Sequence, residues 1–462
     1  MTAIDGRRAP GPLGVPLLGN VLALWSEPLR LLLEAHRDYG DIVRFNFGPH
    51  PFYLVNDVGA IRRVLIDNAK GYVKSRNYQG LKLVLGEGLV TSEGELWRRQ
   101  RRLAQPAFLN TRIGTFAGPM ARLCEAQADL WERLPEGAVV DVHEAMSALT
   151  FRIVGRTLLD ADFGGEADHV GPVMKTLISF ANDWVEAPVK IPTWVPTPAN
   201  LRFKRAKRIV DDLVLGVIED RRRCGEEKED LLGLLMSATD EGESMSETQL
   251  RDEVVTLVMA GHETTANALS FTWYLLSLHP AIDRRLAEEL DHVLGGRAPA
   301  LDDLPKLELT ERVIREAMRL YPPAWAFERS PIEGDELCGY AIEPGSTVGI
   351  APWTLHRHVR HWPDPEGFDP DRFLPEASKE RSRFAYLPFG AGARQCIGMG
   401  MAIMEAKIVL ATLRQRFRLD LVPGHRVELD PSVTLRPKNG VKAWLRKHTR
   451  PSRRASDART PL

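Results

Sequence analysis

Phe389-Gly390-Ala391-Gly392-Ala393-Arg394-Gln395-Cys396-Ile397-Gly398 sets a single cysteine in a glycine-rich loop, directly before a long apolar helical pattern. A helix start offers unpaired backbone N–H groups and the positive end of the helix dipole. Both stabilise an anion such as a thiolate. Gly390 and Gly392 let the loop turn tightly and keep its backbone close to a flat ligand. Arg394 adds a positive charge two residues before the sulfur. The plainer alternative is a buried, inert cysteine at a helix start, and the rest of the chain decides between the two.

A chain of 462 residues with 44% hydrophobic content is long enough to bury a large core. The formal net charge of −1 gives no global attraction to nucleic acid. Cys124, Cys224, Cys338 and Cys396 lie far apart and form no CxxC pair, which argues against zinc or an iron–sulfur cluster. So few cysteines fit a reducing compartment, and a cytoplasmic location is expected. Residues 1–12 are polar and rich in Pro and Gly, unlike a secretory signal. The apolar stretch from Val15 to Leu33 is interrupted by Pro16, Gly19, Asn20, Ser26, Glu27 and Pro28, so it is not an unbroken membrane span.

Periodicity predicts helices at 115–133, 143–158, 200–223, 246–278, 281–294, 307–320 and 397–416. Residues 42–56 read as a β-hairpin turning at Gly48-Pro49-His50-Pro51. A β-rich, proline-rich zone is expected from about 325 to 375, and a last hairpin between 427 and 445. The expected fold class is mainly α with a small β region, in one domain over 1–445. A basic tail, 446–462, carrying Arg446, Lys447, Arg450, Arg453, Arg454 and Arg459, is expected to be disordered.

Inside the 246–278 pattern, Met259-Ala260-Gly261-His262-Glu263-Thr264-Thr265 breaks helix preference with a glycine and two β-branched residues. A local rule broken within a buried helix often marks a functional site. Gly261 leaves room for a small ligand, and a threonine hydroxyl can bond back into the helix. His262-Glu263 also begins an HExxH zinc motif, but Ala266 stands where the second histidine is needed.

Phe389, Gly392, Arg394, Cys396 and Gly398 together resemble the haem-binding loop of the cytochrome P450 family. A single thiolate with open space suits a haem iron, and thiolate ligation favours O–O cleavage. The resemblance spans nearly the whole chain, from Pro10-Gly11-Pro12 to the final hairpin, and implies the P450 fold. It implies haem b held by Cys396. It makes Glu263 and Thr264 an acid–alcohol pair that delivers protons as dioxygen is cleaved, with Gly261 giving space beside them. Trp97 and Arg101, which share a helix face at i,i+4, are implied at a haem propionate, with Arg329 and Arg394 as further partners. Glu316, Arg319 and Arg372, from Glu316-Ala317-Met318-Arg319 and Phe368-Asp369-Pro370-Asp371-Arg372-Phe373, resemble the family's buried ion triad, which braces the fold behind the haem.

Family position also implies a substrate pocket at Leu89, Val90, Met259, Ala260, Trp325, Ala326, Phe327 and Val433, with Leu85, Phe180, Trp184 and Ala324 near them. This lining suits a hydrophobic small molecule. The implied activity is hydroxylation or epoxidation of a terpenoid, fatty acyl chain, macrolide or aromatic compound in specialised metabolism. Oxidative C–C, C–N or C–O bond formation is the alternative within enzymes. A haem sensor without turnover is disfavoured by the Glu263–Thr264 pair. No flavin or ferredoxin module is present, so electrons are expected from a separate ferredoxin and ferredoxin reductase. Arg98, Arg99 and Arg102 are the expected docking charges, and His356 is placed near the haem edge.

Overall fold

The computed structural model describes residues 7–15, 19–47, 50–161, 167–187, 190–225, 230–240 and 243–448. Residues 449–462 of the expected tail and the Gly48-Pro49 turn lie outside the described residues. Helices account for 58% of the structure, which makes the fold mainly α.

Its axis is the long helix Glu247–Leu278. Ser246 starts it with a capping box: its hydroxyl accepts from Gln249 N at 3.2 Å, and Gln249 Oε1 accepts from Ser246 N at 3.1 Å. Apolar residues surround the helix on every side, so it is buried along most of its length. It packs most extensively against Val142–Leu158, which Asp141 caps by accepting from the N–H groups of His143 and Glu144. Glu308–Leu320 and Met399–Arg414 close the other flanks. Tyr321-Pro322-Pro323 ends the former, because proline cannot continue the helical hydrogen bonding.

The expected early hairpin forms as Ile42–Phe47 and His50–Val55. It does not stand alone. Thr347–Ile350 joins it in parallel, with Thr347 opposite Phe52, and Phe327–Pro331 and then Tyr72–Val73 extend the sheet to five strands. The expected β zone ends early: beyond Ile350 the chain makes short helical turns at Pro352–Leu355, Pro370–Phe373 and Pro375–Ser378. A proline opens each turn, at a position where its missing N–H costs nothing.

The hairpin expected between 427 and 445 forms within those bounds. Leu429–Pro431 pairs with Leu435–Pro437 in a short terminal hairpin. Lys442–Lys447 instead pairs with Phe417–Leu421 and Val139–Asp141. This strand passes the expected domain end at 445: Arg446 Nε meets Asp420 Oδ2 at 3.1 Å.

Candidate functional site

One cavity lies between the long helix and the cysteine loop. The loop is closed by Cys396 N donating to Phe389 O at 2.9 Å. Gly390 and Gly392 have φ of +65° and +73°, which glycine adopts without strain. A Cβ on Gly392 would stand 2.2 Å from Leu65 O. A Cβ on Gly390 would meet nothing within 4 Å, so this part of the loop leaves open space at the cavity wall.

Cys396 lies deep in the protein, yet its side chain is open to the cavity. Burial pushes its thiol up, opposed by the Gly398 N–H and the Arg101 charge. A thiol so placed ionises when a metal ion takes the sulfur. Cys396 is the only cysteine among the lining residues, and no histidine is among them.

Opposite the loop, Ala260, Gly261, Thr264 and Thr265 line the cavity. Thr264 Oγ1 donates to Ala260 O at 2.7 Å, and the helix remains continuous there. His262 turns away into the core, with Nε2 3.1 Å from Ser147 O. Glu263 does not line the cavity. Its Oε1 faces Arg436 Nη1 at 3.6 Å. Burial pushes the Glu263 carboxyl up, and Arg436 opposes that shift.

Cations gather along one margin. Trp97, Arg101, Arg329 and Arg394 all line the cavity. Arg101 Nη1 donates to Gln395 O at 3.0 Å, fastening the helix Gly94–Ala104 to the cysteine loop. Arg394 lies 3.8 Å from the centroid of the Trp97 ring, donates to Ser92 O at 3.0 Å and pairs with Glu93. Lys74, which sequence reasoning missed, joins them and lines the cavity: its Nζ donates to Ser92 O at 2.7 Å and lies 4.0 Å from Glu93. Burial pushes Lys74 down to about 7 and Arg394 to about 10, with neighbouring cations adding to both shifts. Glu93 is the only carboxylate among these partners, so the margin suits the carboxylates of a ligand. Nothing around Lys74 in the sequence distinguishes it, because its place depends on Ser92 and Glu93 in a later loop and on the distant Arg329 and Arg394.

The apolar walls include Leu89, Val90, Ala260, Ala324 and Phe327, together with Phe108, Val154 and Leu158, which were not anticipated. Asp252 and Glu253 hold the loop that carries Leu89 and Val90: Glu87 N donates to Asp252 at 2.8 Å and Leu89 N to Glu253 at 3.1 Å. Met259, Trp325, Ala326 and Val433 do not line the cavity. Met259 packs on the main core, and Trp325 donates Nε1 to Ser432 O at 2.8 Å while packing, like Ala326, behind the sheet. Phe180 stacks on Phe203, and Leu85 is in the core.

Behind the site, Glu316 and Arg319 are fully buried and make two hydrogen bonds, at 2.7 and 2.8 Å. Arg372 Nε lies 3.3 Å from Glu316. Arg319 also donates to His356 O, Pro365 O and Gly367 O. His356, expected near the haem edge, belongs to this buried network and accepts from Leu387 N at 2.8 Å.

The sequence pattern described as Cytochrome P450 matches residues 9–442. The chain belongs to the cytochrome P450 family. Cyclooctatin synthase of Streptomyces melanosporofaciens is 39% identical, over 93% of this P450 and 94% of that protein. Cyclooctat-9-en-7-ol 5-monooxygenase of the same organism is 37% identical, over 90% of each chain. Pentalenene oxygenase of Streptomyces avermitilis is 35% identical, over 98% and 97%. The P450 is therefore a haem-dependent monooxygenase that works with redox partners on a hydrophobic substrate. Among the described residues, no helix is long and apolar enough to cross a membrane. The donor set fits haem: one sulfur opens to the cavity, a loop of open glycine backbone runs beside it, and a cationic margin stands ready for carboxylates.

Proposed function

We propose that this P450 hydroxylates or epoxidises a cyclic terpenoid, with haem b held at Cys396. The observation that carries the reading is that Cys396 shares one cavity with Gly261 and Thr264, with apolar walls and a cationic margin. The terpene names of three relatives favour that substrate class over fatty acyl, macrolide and aromatic compounds.

Bound haem, reduced by an external donor, supplies the oxygen-activating chemistry of the family. The chain's residues do the rest. Cys396 binds as thiolate, with the Gly398 N–H and Arg101 favouring its negative charge. Trp97, Arg101, Arg329 and Arg394 receive the haem carboxylates. Leu89, Val90, Ala260 and Phe327 hold the substrate and exclude water. Thr264 holds a proton at Oγ1 on the cavity side, and Glu263 replenishes it from the hairpin side. Phe389, Gly392 and Gly398 shape the loop around the sulfur.

Electrons come from a ferredoxin and its reductase in the cytoplasm. Arg98 and Arg102 are exposed on the helix that Arg101 fastens to the cysteine loop, where Arg98 pairs with Glu95, while Arg99 is half-buried and donates to Ser244 O at 3.4 Å. Charge reversal at Arg98, Arg99 and Arg102 is expected to slow reduction at low salt and leave the haem spectrum unchanged. Unchanged reduction kinetics would remove that docking face.

Spectral titration of the ferric protein tests the substrate class. Cyclic terpenes and their alcohols are expected to shift the iron from low to high spin, and product mass then separates oxygen insertion from loss of two hydrogens. A shift only with fatty acyl, macrolide or aromatic compounds would overturn the terpenoid reading.

A further inference from the structure

Away from the cavity, three side chains able to bind a metal converge from distant segments. His36 lies in the last turn of the helix Pro28–Tyr39, Asp41 precedes the strand Ile42–Phe47, and His358 follows the turn Pro352–Leu355. One donor atom from each lies within 4.8 Å of the others. His358 Nε2 is 3.0 Å from Asp41 Oδ1, and His36 Nδ1 is 3.7 Å from the same oxygen. Ligands of a tetrahedral zinc ion, held at about 2.0–2.1 Å, stand roughly 3.4 Å from one another. The two separations bracket that value. The longer one exceeds a hydrogen bond but suits two ligands of one ion. The imidazoles are tilted by 50° rather than stacked, with centroids 4.7 Å apart.

Two nitrogens among three donors favour a borderline divalent ion over a hard one. The side chains of His36, Asp41 and His358 are shielded but not sealed, with 11%, 17% and 3% of their surface exposed. His36 stands at a helix C-terminus, where the dipole favours a cation. Burial pushes its imidazole down, and the hydrogen bond from His358 holds the Asp41 carboxyl down at about 2. At neutral pH both are in the form that a metal takes. Two hydrogen bonds have to give way. His358 Nδ1 accepts from Arg360 N at 3.2 Å, and His36 Nδ1 lies 3.2 Å from Gly40 O. Binding moves the His358 ring proton from Nε2 to Nδ1 and the His36 ring proton from Nδ1 to Nε2. Arg360 and Gly40 are exposed, so water replaces both bonds at small cost. Arg360 pairs with Asp41 through Oδ2, which leaves Oδ1 for the ion. His361 stands beside His358, with ring centroids 4.9 Å apart, and the Cys338 thiol hydrogen-bonds Asp57.

We propose that His36 Nδ1, Asp41 Oδ1 and His358 Nε2 form a structural site for a borderline divalent cation of the zinc class, with water as the fourth ligand. The ion joins the N-terminal helix and the first strand to the segment that carries His356. That histidine in turn accepts from Leu387 N, two residues before the cysteine loop. The site braces the base of the loop and takes no part in the chemistry above it. It is independent of the terpenoid reading.

The test uses the full-length holoprotein, dialysed against EDTA and then titrated with zinc chloride in a calorimeter. Wild type is expected to take up one equivalent. Saturation should raise its thermal midpoint, because the unfolded chain lacks the site. H36Q and D41N are expected to weaken binding at least about tenfold and to abolish the thermal shift. C338S is expected to bind zinc as wild type does. Magnesium chloride, a hard cation that prefers oxygen, is expected to leave the midpoint unchanged.

Equal zinc affinity in wild type and H36Q overturns the proposal, as does a lack of saturable binding to wild type. Loss of binding in C338S with H36Q unaffected places the ion on the thiol and also overturns it. A magnesium shift as large as that of zinc does the same. If D41N does not fold, H36Q decides, because its substitution lies at the end of a helix.

Discussion

Glu263 and Thr264 are neighbours in the chain but face different sides of the long helix: Thr264 lines the cavity, while Glu263 meets Arg436 on the terminal hairpin. Successive residues of an α-helix are turned by about 100°, so adjacent side chains cannot share a face. The acid and the alcohol thus stand on the two sides of the turn at Gly261. A proton moving between them has to pass around the helix rather than along one face.

Thr264→Ala removes the cavity hydroxyl and its bond to Ala260 O. Alanine is the better helix former, so thermal stability is expected to stay close to wild type. Product formed per electron should fall about tenfold, with a matching rise in peroxide, as expected when a positioned proton donor is lost. Peroxide release, measured with a terpene that shifts the spin state, checks this. Full coupling in the variant would show that another group delivers the proton.

Lys74→Met tests the cation that sequence reasoning missed. Its ammonium shares the cavity margin with Arg394 and Arg329, and Glu93 lies 4.0 Å from it. Removing the charge should speed transfer of haem to apomyoglobin several-fold, and Lys74→Arg should restore retention. An unchanged transfer rate in Lys74→Met would place its role in holding the Ser92 backbone alone.

Arg319→Leu leaves Glu316 buried without its main partner. Breaking a buried pair from one side typically costs about 3–5 kcal/mol. The expected result is a much lower denaturation midpoint together with haem loss. The carbonyls of His356, Pro365 and Gly367 would also lose their donor. A near-normal midpoint would mean that water replaces the guanidinium at little cost.

Glu253 gives a pH dependence. Burial pushes its carboxyl up to about 7 from an ordinary value of 4.5. Between these values the folded protein holds a proton that the unfolded chain releases. Its contribution to stability is therefore complete below about pH 4.5 and lost as pH rises through 7. Glu253→Gln keeps an acceptor for Leu89 N and removes the titration. Relative to wild type, the variant should gain up to about 3 kcal/mol between pH 5 and pH 8. Denaturant melts at the two pH values measure the difference. A constant difference would show that Glu253 titrates normally.

The sequence by itself determined the features that one short segment can carry. The cysteine loop from Phe389 to Gly398, the Gly261–Thr264 interruption and the Glu316–Arg319 pair each depend on residues within a few positions of one another. The helices were legible for the same reason, since their periodicity and caps are local. Tertiary structure decided the rest. The long helix is apolar on every side, so its pattern names no face. Packing alone turns Thr264 into the cavity and Glu263 out of it, and leaves Met259 in the core. Strand pairing is likewise blind to sequence distance. It joins the 42–55 hairpin to Thr347–Ile350, and it sends Lys442–Lys447 to Phe417–Leu421 rather than to the terminal hairpin. Lys74 reaches Arg394, and Arg436 reaches Glu263, only because the fold brings distant segments together around one buried helix.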